Sequence, residues 1–278
     1  MKNINPLGLF DDHFLLEALS KLGDPLQKLN KYIDWKIFES PINEAFKNED
    51  RDLSKGGHPP FNRLMLFKAL VIQSLYNLSD DQLEFQIVDR ASFKRFLGLK
   101  KSDKVPDSKT FWLFREQLIE KGVILGLFKI FNETLDAAGV LSNQGKMVDA
   151  SFVEAPRQRN NREENKHIKE TGTAPEEWKV KPHKLAQKDI DARWTKKNNN
   201  TFYGYNNHVK ADTKTKLIEE FIVTDASVHS QAMEHLLTDK DEGQPLYADS
   251  AYTEEDQEAV YKKKKVINKI IEKGYLVY

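Results

Sequence analysis

The 278-residue sequence contains no cysteine, which excludes disulfide bonds and thiolate metal sites. It also has no apolar run of membrane-spanning length, and residues 1–6 lack the apolar segment of a secretory signal peptide. The net charge is zero as well, because 43 basic residues balance 43 acidic ones. These absences predict a cytoplasmic protein without a membrane partner. Taken alone, the zero net charge argues mildly against a nucleic-acid binder.

The charge is unevenly distributed along the chain, and this matters more than its sum. Residues 157–216 hold 15 Lys or Arg against 8 Asp or Glu, and four consecutive lysines occupy positions 262–265. Such runs are usually solvated surface, but beside metal-binding acids they would also suit the phosphates of a nucleic acid. The first region places an aromatic residue between cationic ones, which gives four candidate nucleic-acid contacts: Arg193, Trp194, Lys196 and Lys197.

The first 140 residues show helical apolar spacing throughout. Helices are predicted at 12–22, 26–38, 61–76, 79–88, 92–97, 106–122 and 124–138, with a loop at 54–60. Pro41 is expected to end the second helix, and Gly98 is a C-cap signal. The short helices between residues 79 and 121 are compatible with a DNA-reading helix-turn-helix that exposes Lys109 and Arg115. They also fit a plain bundle with an aromatic core, which the spacing favours: Phe111, Trp112 and Phe114.

After Gly145 the pattern changes to that of an α/β domain. Strands are predicted at 145–153, 201–210 and 217–224 and just before residue 249, with helices at 230–237 and 254–263. The polar stretch between residues 158 and 200 is interpreted as a long loop or insertion rather than core.

Two aspartates stand out within these strands. Asp149 and Asp249 each follow apolar strand residues and precede two small residues. Aspartate is depleted from strands and costly to bury unpaired, so each carboxylate is expected to have a partner. A metal ion shared by the two is the simplest such partner, and strand-borne acids would hold it rigidly.

An ordered series of short motifs resembles the DDE transposases of bacterial insertion sequences, in the group called the IS-five family. The motifs are YNLSDDQLE at 76–84, DRASFKRFLGL at 89–99, VPDS at 105–108, WLFRE at 112–116, VDAS at 148–151, YGY at 203–205 with NH at 207–208, and ADSAY at 248–252. Each motif alone is weak, but their number and order make the resemblance specific.

The resemblance implies a helical DNA-binding domain at 1–140, followed by a ribonuclease-H-like mixed α/β catalytic domain at 145–278. A polar basic insertion would occupy about 157–200 of the second domain. Asp149 and Asp249 match the first and second catalytic acids, which would bind Mg²⁺, or Mn²⁺ in its place, for phosphodiester cleavage. Implied partners are double-stranded DNA (terminal inverted repeats and target DNA) and a second copy of the chain. A location at the nucleoid is implied too, and His208 joins the candidate nucleic-acid contacts.

The sequence departs from the family pattern in two ways. The family's third acid, a glutamate in an Arg-Val-Glu-His-like stretch, has no match, and neither Glu254, Glu255 nor Glu272 fits that motif. The C-terminal part of the catalytic fold is therefore expected to be missing. Asn206 also replaces a residue that is generally lysine in the family. Two functional hypotheses follow: a transposase acting at transposon ends, and an inactive DNA-binding remnant that could inhibit an intact relative.

Overall fold

The structure is a computed structural model that describes residues 11–47, 59–155, 158–197, 200–228, 232–253 and 255–271. The chain divides into two compact units, Met1–Thr134 and Leu135–Tyr278. In the described part of the chain, no helix has both the length and the apolar character needed to cross a membrane.

The described residues of the first unit are helical. The helices are α1 (Asp11–Leu22), α2 (Pro25–Tyr32), α3 (Glu39–Ala45), α4 (Arg63–Tyr76), α5 (Asp80–Asp89), α6 (Ala91–Leu97), α7 (Ser108–Glu120) and α8 (Val123–Ala137), and α8 runs past the boundary between the units. Local signals set their ends: Ser79 and Gln82 form a capping box on α5, and Gly98 ends α6 with a φ of 76°.

The second predicted helix is wrong in its boundaries. The chain leaves α2 at Tyr32, makes a 3₁₀ turn at Trp35–Phe38 and enters α3, with Pro41 near the start of that helix. A proline is tolerated in the first turn because the backbone N–H there has no helical partner. Pro41 therefore fails to act as a stop signal. Most of the predicted loop at 54–60 lies outside the described residues.

Apolar faces of these helices meet in one core. Phe93, Phe96 and Phe111 are at most 1% exposed, and Phe114 is 3% exposed, whereas Trp112 is half exposed. Arg115, expected to be exposed, instead donates to Asp80 at 2.8 and 2.9 Å and to Gln73 at 3.0 Å. It thus connects α7 to α5 and α4, and the helical bundle describes this unit better than an exposed reading helix does.

The second unit is a mixed α/β structure. Its strands are β1 (Lys146–Glu154), β2 (Arg193–Lys197), β3 (Asn200–Asp212), β4 (Ile218–Asp225), β5 (Pro245–Tyr247) and β6 (Ile267–Asn268). Its helices are α9 (Arg162–Thr171), α10 (Glu176–Val180), α11 (Pro182–Gln187), α12 (Ala232–Leu236) and α13 (Glu255–Lys263). The strand order is β2-β3-β1-β5-β6.

The long strand β3 organises this sheet. One edge of β3 pairs antiparallel with the whole length of β1. The other edge pairs first with β2 and then with β4. β1 in turn pairs parallel with β5, and β5 with β6. Val148, Leu246 and the apolar side of α12 form the core beneath one face of the sheet.

The stretch between β1 and β3 is not a loop. It contains α9, α10, α11 and β2, and it buries Trp178 completely. Glu164 of α9 accepts hydrogen bonds from the Trp178 indole at 3.2 Å and from Lys188 at 3.0 Å, and pairs with Lys184 at 3.0 Å. The loop prediction fails because this small structure is held by one aromatic and one buried acid rather than by a periodic apolar face.

Candidate active site and nucleic-acid surface

Backbone pairing of β1 with β5 comes close to the two candidate acids. β1 pairs with β5 in parallel through Lys146 with Leu246 and Met147 with Tyr247. Each acid lies two residues beyond the last of these pairs, so the same register, if continued, would set Asp149 level with Asp249, although Asp249 follows the end of β5 and caps a 3₁₀ turn. Both are exposed, whereas their neighbours Val148 and Ala248 pack into the core.

Each carboxylate is oriented by a backbone N–H. Asp149 Oδ1 accepts from Ala150 N at 2.8 Å, and Asp249 Oδ1 accepts from Ala251 N at 3.0 Å. The second contact caps the 3₁₀ turn Ser250–Tyr252 that follows β5. No hydrogen bond to the Oδ2 atom of either aspartate occurs among the residues that the structure describes. One oxygen of each acid is thus held by the backbone, and the other is left for a different ligand.

The tyrosine at the end of that turn lies close to both acids. Burial raises the pKa of Tyr252, and the negative charges of Asp249 and Asp149 raise it further. The Tyr252 hydroxyl is 2.9 Å from His208 Nδ1. Both carboxylates are therefore within electrostatic reach of one hydroxyl group, as expected for neighbours at one strand end.

His208 lies inside the sheet layer rather than on a DNA-facing surface. Its side chain is 1% exposed, and it stands opposite Ala150 on the core side of β3. Its Nε2 is 3.1 Å from Thr224 Oγ1, so both ring nitrogens have partners. In this position the ring supports the residues around the acids.

No third acid joins Asp149 and Asp249 within the described part of the chain, where no cluster of three potential metal ligands is found. Glu254 and Glu272 lie outside the described residues, as does the side chain of Glu255. Two carboxylates nevertheless form a suitable donor set for Mg²⁺, which commonly binds one or two protein carboxylates and completes its shell with water and substrate phosphates.

A cationic cleft of about 630 Å³ lies between α9 and β2. Asn160 and Asn165 line it together with four cations of the basic region: Arg162, Lys166, Lys169 and Arg193. None of the described residues that line the cleft is acidic, although Lys166 approaches Glu170 at 4.0 Å. A concentration of positive charge without acids in a concave surface favours phosphate groups.

The predicted nucleic-acid contacts are spread around this cleft. Arg193 and Trp194 line it; the Arg193 guanidinium donates to the carbonyls of Ile190 and Ala192, and the Trp194 indole donates to that of Asn160 at 3.0 Å. Lys196 is exposed on β2, and the side chain of Lys197 lies outside the described part. Sequence reasoning missed Arg162 and Lys169. The NREE capping box at 161–164 was the available signal, because it marks the helix that carries them.

The lysine run at 262–265 is neutralised locally. Each of its members lies near a carboxylate: Lys262 near Glu258 at 3.7 Å, Lys263 near Glu234 at 3.6 Å, Lys264 near Asp239 at 3.0 Å and Lys265 near Glu242 at 2.8 Å. The cleft therefore offers a better phosphate site than this run does.

Two aspartates near a strand end and a cationic cleft elsewhere in the same unit are features that suit metal-dependent nucleic-acid chemistry. Two family models match the chain: a transposase domain (DUF772) at residues 14–117 and a transposase DDE domain at residues 142–276. No solved structure matches. Together the two matches cover most of the chain and support an insertion-sequence DDE transposase, which implies DNA binding and dependence on a divalent metal, typically Mg²⁺.

Proposed function

We propose that this chain, as a member of the IS-five group, cleaves phosphodiester bonds at the ends of its insertion sequence and joins them to target DNA. Asp149 and Asp249 would be the first two catalytic acids, on a sheet of the ribonuclease-H-like type. Two copies would act together, one at each terminal repeat. The parallel pairing of β1 with β5, which reaches Met147 and Tyr247 two residues before the acids, supports the proposal.

The residues of the chain have distinct tasks in this reaction. The Oδ2 atoms of Asp149 and Asp249 would hold Mg²⁺, while their Oδ1 atoms stay fixed by backbone N–H groups. When bound, the metal supplies Lewis-acid stabilisation of charge on the phosphate oxygens. The exposed face leaves room for the DNA backbone to approach the two acids.

The cationic cleft would hold part of the DNA. Arg162, Lys169 and Arg193 present positive charge, and phosphate contacts of this kind fix the position of a duplex without reading its sequence. Arg193, Trp194, Lys196 and Lys197 remain candidate contacts on β2. His208 would act indirectly, because its ring is buried.

Strand cleavage of a labelled terminal-repeat duplex with Mg²⁺ or Mn²⁺ tests the proposal. Asp149→Asn and Asp249→Asn should each lower the rate by about 10²–10³-fold or more, as is typical when an electrostatic element of catalysis is lost. Affinity for the duplex should change little. Asp239→Asn is the control, because this exposed carboxylate pairs with Lys264 and is not one of the proposed catalytic acids. Equal cleavage by the wild type and both site variants would refute the assignment.

A second candidate function is a DNA-binding protein that occupies terminal repeats without cutting them. The observation that favours it is the lack of a third acid beside Asp149 and Asp249 among the described residues. The same assay separates the two candidates, because this one predicts duplex binding with no metal-dependent cleavage by the wild-type chain. Inhibition of an intact relative in a mixed reaction would then be expected.

A further inference from the structure

Backbone pairing between the two acid-bearing strands ends before it reaches the acids. The β1–β5 ladder contains only two residue pairs, and the last joins Met147 to Tyr247. Beyond Tyr247 the chain turns away into the 3₁₀ turn Ser250–Tyr252. Some other contact must therefore keep Asp249 at a fixed distance from Asp149 if the two are to share an ion.

The hydrogen bond between Tyr252 and His208 bridges this gap. His208 is paired directly opposite Ala150, the residue after Asp149. Tyr252 ends the turn whose first residue is capped by Asp249, and its backbone N–H donates to the Asp249 carbonyl at 3.2 Å. The 2.9 Å contact between the Tyr252 hydroxyl and His208 Nδ1 thus connects the immediate surroundings of both acids.

Both ends of this bridge are themselves anchored. The Tyr261 hydroxyl donates to the Tyr252 carbonyl at 2.9 Å, and the Tyr252 side chain is 4% exposed. On the other side, Thr224 Oγ1 contacts His208 Nε2 at 3.1 Å and donates to the Val228 carbonyl at 3.4 Å. The Thr224 contact with the Val228 carbonyl favours the tautomer in which Nε2 carries the imidazole proton. In that tautomer Tyr252 donates and His208 Nδ1 accepts.

We propose that His208 and Tyr252 are positioning residues that set the spacing of Asp149 and Asp249 for divalent-metal binding. This inference rests on the proposed function of the two acids. Neither residue touches the ion or the DNA; they act by holding the turn that Asp249 caps against the strand that carries Asp149. Outer partners of this kind typically change metal affinity by about 10–100-fold when they are removed.

Binding of Mn²⁺ to the full chain without DNA, followed by the paramagnetic resonance signal of the free ion, tests the bridge directly. Tyr252→Phe should weaken Mn²⁺ binding by about 10-fold, and His208→Leu should do the same. His208→Asn should bind closer to the wild type, because its amide oxygen can accept from Tyr252 near the position of Nδ1. Circular dichroism melts define a temperature at which every variant is folded, and titrations are made there.

Tyr205→Phe is the matched control for the loss of a partly buried tyrosine hydroxyl. Tyr205 lies on β3, as His208 does, but its hydroxyl donates to Asp189 at 2.7 Å and not to a group next to Asp149 or Asp249. Wild-type affinity in Tyr252→Phe, or an equal loss in Tyr205→Phe, would overturn the positioning role. Asp149→Ala identifies the site: if it leaves Mn²⁺ binding unchanged, the proposed metal site is itself wrong and the bridge has no role. If Asp149→Ala abolishes binding while Tyr252→Phe does not, only the positioning role is refuted.

Discussion

At the scale of single residues, Gly204 shows how closely β1 and β3 approach each other. A side-chain carbon at this position would lie 2.1 Å from the Val153 carbonyl oxygen and 2.8 Å from the Ala155 nitrogen. Both atoms belong to backbone, so they cannot move aside as a flexible side chain would. The requirement for glycine here is steric.

Gly204→Ala should destabilise the second unit by about 1–3 kcal/mol or more, the usual cost of forcing extra atoms into a packed region. Urea unfolding followed by tryptophan fluorescence measures the change. Gly126→Ala serves as the opposite case, because nothing lies within 4 Å of the added carbon in the interior of α8. That substitution should stabilise its helix by about 1 kcal/mol. An unchanged unfolding midpoint for Gly204→Ala would show that the strands can separate freely.

Also at this scale, the fold can change the role that the sequence predicts for a residue. Asp149 and Asp249 were recognisable because an acid inside an apolar strand is unusual. His208 was grouped with DNA contacts, yet its side chain is buried between Thr224 and Tyr252. Its role depends on which face of β3 it occupies, and neighbouring residues cannot reveal that before the pairing with β1 is known.

At the scale of secondary-structure elements, the insertion between β1 and β3 depends on one buried acid. Burial raises the pKa of Glu164, but hydrogen bonds from the Asn161 backbone, Lys188, Lys184 and Trp178 outweigh it and hold the pKa at about 2. The folded state therefore favours the ionised form more than the unfolded chain does, where the value is about 4.5. This interaction contributes fully above pH 4.5 and is lost as the pH falls towards 2.

The pH dependence of stability tests this arrangement. Between pH 5 and pH 3 the free energy of unfolding of the wild type should fall more steeply than that of Glu164→Gln. The extra loss over the whole titration of Glu164 should be at most about 3 kcal/mol, since one pKa unit corresponds to about 1.4 kcal/mol. Glu170→Gln is the control on the same helix, because Glu170 is exposed and its ion pair with Lys166 is long, at 4.0 Å. Parallel stability curves for the wild type and Glu164→Gln would contradict the predicted role.

Helices and strands whose apolar residues recur with a clear period were predicted well, and the other elements were not. The strand through Asp149 and the helices α4 to α8 are present close to their expected boundaries, because an apolar face and a cap mark each of them. α9, α10 and α11 carry few apolar residues, and their stability comes from Trp178 and Glu164, which meet only after folding. A pattern search within short windows cannot detect such a contact.

At the scale of the whole molecule, zero net charge and DNA binding are compatible because the positive charge is concentrated. Arg162→Gln with Lys169→Gln should lower affinity for all duplex sequences alike. It should also reduce the slope of log K against log salt by up to about two, since each phosphate contact contributes about 0.9. Gel-shift titrations at several salt concentrations measure both quantities.

The double variant Lys262→Gln with Lys263→Gln is the matched control, because it removes the same amount of charge from lysines that already lie near Glu258 and Glu234. Its affinity and salt slope should stay near the wild-type values. Equal effects of the two double variants would mean that overall charge, and not the cleft, governs binding.

The two-pair ladder between β1 and β5 closes a loop of about one hundred residues, and the insertion lies inside that loop. The entropy of loop closure rises only with the logarithm of length, so shortening the loop by the insertion's roughly forty residues would recover only about 0.5 kcal/mol. The sheet can therefore accept inserted chain between its two acids at little thermodynamic cost. Contacts so distant in sequence form slowly, however, and the pairing of β1 with β5 should be among the last steps of folding.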